Sequence, residues 1–379
     1  MSTSLPDSRG MMQAQVERFA LADPGDVSGL SEAIDDGRVD PNTILAVIGK
    51  THGNGLVNDY TRGYLTLALS TLIGECLDES AMQVRERIPF IFSGGVEGVL
   101  SPHYTVLCAR RVPAAAAAPA LALGIAFTPP LAPADVGREA QIAATAEAVR
   151  RAMQTACIEH AQDVHFVQVK GPAFDLRALA HPASVDEAPA SDSPGKMMAF
   201  GRAASALGVA RGLGEASDAA SGASAVLREF GVFSSVASVS AGIEVRCNEV
   251  VVMGMSRHWT GPLRIDHETM RDAIDSPAVH RLACRLGFEG APQLAGAETA
   301  RLRAAFVKCE ASRSGQIRGR RHTMLDDGDM DQQRHIRGAV GAIVAGVLGE
   351  TALFVSGGAE HQGPDGGGLI ALIAERSDG

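Results

Sequence analysis

Aromatic side chains are scarce in this chain: one Trp, three Tyr and twelve Phe make up 4% of 379 residues. So few rings leave no base-stacking platform of the kind that single-stranded nucleic-acid binders use. Positive charge is short as well, with 34 Lys and Arg against 44 Asp and Glu and a net charge of −10. A nucleic-acid face needs a basic surface, so nucleic acid is excluded as a partner. The six cysteines (Cys76, Cys108, Cys157, Cys247, Cys284 and Cys309) lie far apart with no C-x-x-C pair. That spacing fits reduced thiols, not a disulfide frame or a zinc site. Long apolar runs are missing too: residues 112–131 are interrupted by four prolines, and 338–349 amount to about one buried helix ending at Glu350. Neither provides the roughly 20 unbroken apolar residues that a membrane span requires. The N-terminal stretch has no basic start followed by an apolar run, so no signal peptide is expected and the protein reads as cytoplasmic.

What the chain does have is length for two or three domains, 42 glycines for tight turns, and an internal repeat. Three hydrophobic runs end in the signature S-[GA]-G-x-E: Ser93-Gly94-Gly95 with Glu97, Ser240-Ala241-Gly242 with Glu244, and Ser356-Gly357-Gly358 with Glu360. One such match is ordinary turn chemistry; three are a pattern. Upstream of each lies a strand-like run closed by a lysine, namely Lys50, Lys170 and Lys308. Between lysine and serine sits a helical segment with an arginine near its start: Arg62, Arg202 and Arg337. Apolar residues there recur every three or four positions, as on a helix packed against a sheet. The middle spacing is longer, which assigns 181–196 and 216–225, rich in Ala, Ser, Asp, Pro and Gly, to surface insertions. A further helix is expected before each lysine strand, the third capped by Ser276-Pro277. The reading is an α/β fold of three similar units, 1–110, 111–256 and 257–379, around a pseudo-threefold axis. Residues before about Gln13 and after about Glu375 are expected to be loose.

Three equivalent units would bring their matching residues to one centre. Arginines offer planar N–H donors for carbonyl or anionic oxygens, and a backbone N–H beside a small residue suits an oxyanion. The fitting ligand is a small, planar, carbonyl-rich cyclic imide. A serine needs a base, and a lysine titrating at about 10.4 must fall by roughly three pH units, about 4 kcal/mol, to act as one near neutrality. Burial and neighbouring cations both push that way. A single Lys at a strand end is ordinarily a solvated surface residue; its coincidence with Arg and Ser-Gly in all three units favours a site.

Other motifs fail on inspection. AVIGKT lacks the first glycine of a phosphate-binding loop, since Ile44 stands there. The stretch 324–335 begins like an EF-hand, but Gln332 replaces the turn glycine and Gly338 the closing glutamate, so it reads as a solvated acidic loop. His103, His165 and His335 read as structural, whereas His361, inside the third serine turn, is harder to dismiss.

The stretches GKTHGNGLVNDYTRG, FSGGVEG, VQVKGP, SVASVSAG, FVKCEAS and SGGAEHQGPDGGG resemble the cyanuric acid amidohydrolase/barbiturase family, in order from about residue 18 to 375. That resemblance implies three α/β units with one active site on the axis, a homotetramer, and hydrolytic opening of a cyclic amide without an organic cofactor. It implies Ser240 as nucleophile and Lys170 as its base. Arg62, Arg202, Arg337, Ser93, Gly94, Ala241, Ser356 and Gly357 would hold the ring, with Lys50 and Lys308 in support. It also implies a structural, non-catalytic Mg²⁺ or Ca²⁺ held by Glu310, Ala359, Gln362, Gly363, Pro364 and Gly367. His52 departs from the family pattern, which has an acidic residue there. Within the resemblance, cyanuric acid competes with barbituric acid as substrate, and a non-catalytic binder of cyclic imides is the rival outside the enzyme class.

Overall fold

Each third of the chain lays four strands in the same order: serine strand, lysine strand, unit-closing strand, unit-opening strand. The computed structural model describes residues 10–113, 118–180, 188–290 and 292–377. In the first sheet these strands are Phe90–Gly94, Ile44–Thr51, His103–Val112 and Met11–Ala20. In the second they are Ala237–Gly242, Val164–Pro172, Glu249–Ser256 and Ala120–Phe127. In the third they are Phe354–Gly357, Leu302–Cys309, Gly368–Glu375 and Leu263–Met270. Lysine and serine strands run parallel, and the other neighbours antiparallel. Because a parallel pair must be joined by a crossover, a helix separates lysine from serine each time: Thr61–Leu77, Pro194–Leu213 and Gln332–Leu348.

Strand register turns the sequence pattern into geometry. Lys50 sits opposite Ser93, Lys170 opposite Ser240, and Lys308 opposite Ser356. The link after the second sheet does more than connect: Trp259–Thr260 pairs in parallel with Met12–Gln13, adding an edge strand to the first sheet. The buried Trp259 donates its indole N–H to the Ala156 carbonyl at 2.7 Å, tying the link to the second unit.

Several details differ from the sequence reading. The middle crossover helix begins at Pro194, which puts Arg202 two turns inside it and not near its start. The helix at Ser276–Arg285 starts with Ser276 itself, and the flanking Asp275 accepts from Arg271 N (3.0 Å) and Nε (3.2 Å). The stretch 216–225 is not simply an exposed insertion. Ser221 is fully buried and receives Arg211 Nε at 3.1 Å, while Ala225 joins Ile142, Ala203 and Leu207 in an apolar cluster. Met11 and Met12, expected to be loose, belong to a strand. Of the other expected loose or inserted stretches, residues 1–9, 181–187 and 378–379 lie outside the described residues.

The inner faces of all three sheets share one core, in which Ile48, Phe166, Val250, Phe306 and Leu369 are all buried. Phe166 of the second sheet stacks on Phe306 of the third at 4.6 Å, and Phe306 meets Phe354 edge-on at 5.9 Å. Helices cover the outer faces. In the second unit they approach so closely that a Cβ on Gly208 would lie 2.6 Å from Thr145 Cβ, so glycine is required there. No helix among the described residues is long and apolar enough to cross a membrane.

Phe306→Ala removes the ring that joins two sheets, and truncating a buried aromatic costs about 3–5 kcal/mol. Chemical denaturation should show a loss of that size, with Phe306→Leu losing much less. A loss under about 1 kcal/mol would show that the shared core does not depend on this stack.

Candidate active site

A cavity of about 330 Å³ opens where the three sheets' serine turns meet. Ser93, Gly94, Ser240, Ala241, Ser356 and Gly357 line it together with Arg62, Arg202 and Arg337. All three strand-end lysines are buried, and Lys170 is the one of them among the cavity's lining residues. The rim includes Asn54, Gly55, Lys196 and Gln332, which the sequence pattern missed because they fall outside the repeated positions.

The arginines are not simply donors waiting for a ligand. Each grips the glutamate that ends the serine signature of another unit. Arg62 Nε donates to Glu244 at 3.0 Å, Arg202 reaches Glu360 from Nε (2.8 Å) and Nη2 (2.6 Å), and Arg337 reaches Glu97 the same way (2.8 and 2.6 Å). First unit to second, second to third, third to first, these pairs close a ring. A buried charge is costly unless paired and hydrogen-bonded, and here each arginine has a glutamate partner from outside its unit. Among the described residues, Nη1 of Arg202 and of Arg337 has no protein hydrogen-bond partner and remains available to a ligand. Arg62 is more fully engaged, donating also to Asp59 Oδ2 (3.4 Å) and the Leu56 carbonyl (3.0 Å). The glutamates stood in the sequence signature; their partners across units did not.

The three Lys–Ser pairs are not equivalent. Lys50 Nζ donates to Ser93 Oγ at 3.2 Å, and Lys308 Nζ to Ser356 Oγ at 3.1 Å. Ser93 in turn donates to Ser356 at 3.4 Å. Lys170 Nζ is instead held by Glu244 Oε1 at 2.8 Å, the Phe92 carbonyl at 2.7 Å and the Ala241 carbonyl at 3.5 Å. Ser240 lines the cavity, and its buried Oγ has no protein partner. Hydrogen bonding alone would therefore single out the first and third pairs, and the second is distinguished by a free hydroxyl on the cavity wall.

Burial pulls all three lysines below their ordinary titration range. Arg337 adds to the effect at Lys50, and Arg202 helps push Lys308 down to about 7. Lys170 falls too, but the Glu244 carboxylate works against burial and favours its ammonium form. The residue facing the lysine on the closing strand also differs, His103 in the first sheet and Glu249 in the second. Burial pushes Glu249 up to about 8 and His103 down to about 4. His52 is exposed, whereas Lys50 is fully buried.

In the third unit, Glu310 is buried, and burial with the nearby Glu360 charge raises it to about 7. Its direct ion-pair partner is Arg313, which also contacts Asp365 at 3.1 Å and lies 3.6 Å over the Phe230 ring. The Ala359 and Pro364 carbonyls accept from Gln362 N and Gly367 N at 3.0 Å each. The Gln362 side chain is committed to Val239 N at 2.6 Å, so only its backbone carbonyl remains for a cation. A buried carboxylate beside a loop of backbone oxygens fits a hard, oxygen-seeking cation. His361 proves structural: its Nε2 accepts from Leu227 N (3.1 Å), its Nδ1 meets the Val232 carbonyl (2.6 Å), and its ring stacks on Phe230. The acidic stretch 324–335 is mostly exposed, and Asp331 caps the following helix by accepting from Gln333 N at 2.9 Å.

Residues 15–375 match the family described as amidohydrolase ring-opening protein. A cyanuric acid amidohydrolase of Methylobacterium sp. (strain 4-46) is 48% identical over 96% of this chain and 98% of its own. One of Enterobacter cloacae is 44% identical over 96% and 99%. A solved cyanuric acid hydrolase, described as an evolutionary innovation by structural concatenation, superposes with a TM-score of 0.92 at 45% identity, over 96% of this chain and all of that one. A second, from A. caulinodans, gives 0.88 at 43% identity, over 97% of this chain and all of that one. With the sheet order, the lysine–serine register and the full-length match in agreement, the chain belongs to the ring-opening amidohydrolase family.

Proposed function

We propose that the protein opens the ring of cyanuric acid, with Ser240 as nucleophile and Lys170 as its base. One observation carries the assignment of the pair: Ser240, whose buried Oγ has no protein partner, lines the cavity in register with Lys170, the one strand-end lysine that also lines it. Full-length similarity to cyanuric acid amidohydrolases supports the substrate. Cyanuric acid alternates three carbonyls with three N–H groups, which suits a wall built three times from serine, small residue and arginine.

Neutral Lys170 takes the Ser240 proton as Oγ forms a bond to a ring carbonyl carbon. Its ammonium then returns that proton to the ring nitrogen as the C–N bond breaks, leaving an acyl-enzyme. Water, deprotonated by the same lysine, cleaves the ester, frees Ser240 and releases carboxybiuret, which loses carbon dioxide to give biuret. Backbone N–H at the small residues, with Arg202 and Arg337 Nη1, would hold the ring oxygens, and Arg62, Ser93, Gly94, Ala241, Ser356 and Gly357 would complete the seat. An apo hydrogen bond between base and nucleophile is not required, since such contacts often tighten only with substrate. Lys50 and Lys308 stand behind the cavity wall as donors to Ser93 and Ser356. The reading includes a homotetramer working in the cytoplasm without an organic cofactor. A divalent cation, Mg²⁺ or Ca²⁺, would be held by Glu310 and the backbone of Ala359, Gln362, Gly363, Pro364 and Gly367, where it would stiffen the loop beside Ser356.

The direct test is parallel assay of cyanuric and barbituric acid, following ring loss and biuret. Biuret from cyanuric acid alone supports the reading. Turnover of barbituric acid alone moves the protein to the sister activity, and binding without turnover makes it a non-catalytic imide binder. Ser240→Ala and Lys170→Ala should each remove at least a thousandfold of kcat with the fold intact, and Ser93→Ala or Ser356→Ala at most about a hundredfold, mainly through KM. Glu244→Gln removes the charge that holds the Lys170 proton, so its pKa drops and the rising acidic limb of kcat/KM should move to lower pH; an unmoved limb would separate Glu244 from the base. Chelation should lower Tm, with Mg²⁺ or Ca²⁺ restoring it, and Glu310→Gln should abolish that restoration by Mg²⁺ or Ca²⁺. A chelator-insensitive Tm would remove the loop cation from the account.

A further inference from the structure

Away from the cavity, two imidazoles and a carboxylate face one another across the junction of the second and third sheets. His165 is the second residue of the lysine strand Val164–Pro172, and Asp266 and His267 lie in the opening strand Leu263–Met270. His165 Nδ1 is 2.9 Å from His267 Nδ1 and 3.4 Å from Asp266 Oδ1. Among the described residues this is the one group of three or more His, Cys, Asp or Glu whose ligand atoms converge within 4.8 Å.

We propose that His165, Asp266 and His267 form a binding site for a borderline-soft divalent cation of the zinc class, with solvent as a fourth ligand. Tetrahedral coordination at about 2.0–2.1 Å places neighbouring ligand atoms roughly 3.3 Å apart, close to the two separations observed. Two nitrogens and one carboxylate oxygen with an open position form a common zinc ligand set. The trio is partly exposed, with His165 and Asp266 side chains 18% and 23% accessible, so a cation can enter and keep a water. Its supporting contacts are in place. Arg285 Nε donates to Asp266 Oδ2 at 2.7 Å and Arg285 Nη2 to the His267 carbonyl at 2.6 Å, fixing the carboxylate and the strand that carries both ligands. Outer partners of this kind orient a metal's ligands. Without a cation, the facing Nδ1 atoms share a single proton, and the pair is a hydrogen bond only. The sequence reading took His165 as structural, because its partners lie about a hundred residues away and show no metal spacing.

The site would staple two sheets and take no part in turnover: five residues of strand, roughly 16 Å, separate His165 from Lys170. Co²⁺ serves as a spectroscopic stand-in for Zn²⁺. Chelator-treated protein titrated with Co²⁺ should develop visible d–d absorption at one equivalent, and Zn²⁺ should displace it and raise Tm. His165→Ala and His267→Ala should each weaken binding at least tenfold, and Asp266→Asn, which keeps the side-chain shape, should weaken it while near-UV circular dichroism stays native. Glu310→Gln should leave the spectrum unchanged. Visible bands of equal strength in the double histidine variant would overturn the proposal and place the ion elsewhere, for example at exposed Cys76, Cys157 or Cys284. Absence of binding at micromolar Zn²⁺ would overturn it equally, leaving a hydrogen-bonded contact between sheets.

Discussion

The centre of this molecule depends on buried charges that are paired from one unit to the next. Arg62 is 1% exposed, Arg337 5% and Glu97 8%, values at which an unpaired ion would be prohibitive. Each arginine finds its carboxylate in a different unit, so the ring of pairs exists only when all three sheets are assembled. The lysines repeat the logic: Lys170 Nζ donates to the Phe92 carbonyl of the first unit, and Lys308 Nζ to the Val239 carbonyl of the second. Removing one partner of such a pair leaves the other buried and uncompensated, at a cost of about 3–5 kcal/mol. The cavity is therefore a property of the closed assembly of units, and its floor and walls are positioned by the same contacts that hold the sheets together.

A repeated scaffold need not be a symmetric machine. In the first and third units lysine and serine are already bonded, and those two serines contact each other, which fits a fixed wall. In the second unit Glu244 draws Lys170 away from Ser240 and shares itself with Arg62. The hydroxyl is left free and the base is tethered to a carboxylate that controls its proton. Glu249, held largely neutral by burial, faces Lys170 where the first sheet has His103. Ala241 stands where the other turns have glycine. Such departures from threefold equivalence all fall on one pair, and they give that pair a different chemistry from its copies.

Much of this was legible in the sequence because the repeat spells out backbone geometry. The repeat placed lysine, arginine and serine at equivalent points of three units, and the structure adds that Lys50–Ser93, Lys170–Ser240 and Lys308–Ser356 lie in register on parallel strands. The S-[GA]-G-x-E signature contained Glu97, Glu244 and Glu360, yet one unit read alone cannot reveal that each carboxylate serves another unit's arginine. Nor could spacing show that Lys50 and Lys308 sit behind the wall while Lys170 lines it, since that difference arises from packing. His165 and His267 were invisible as a pair for the same reason: strands from two sheets bring them together, and linear motifs do not cross sheets. Arg202 was placed near a helix start because 181–196 read as a surface insertion, whereas Pro194, Gly195 and Lys196 form the first turn of the crossover helix and Gly195 and Lys196 line the cavity.

The central claim is that one serine of three carries the chemistry, and a covalent trap tests it most directly. Protein quenched in acid during turnover of cyanuric acid can be digested and its three serine-turn peptides weighed. The account predicts an acyl adduct on the peptide containing Ser240, absent from those containing Ser93 and Ser356 and lost in Ser240→Ala. An adduct on the Ser93 or Ser356 peptide would contradict it, and would make one of the pre-bonded lysine–serine pairs the reactive one.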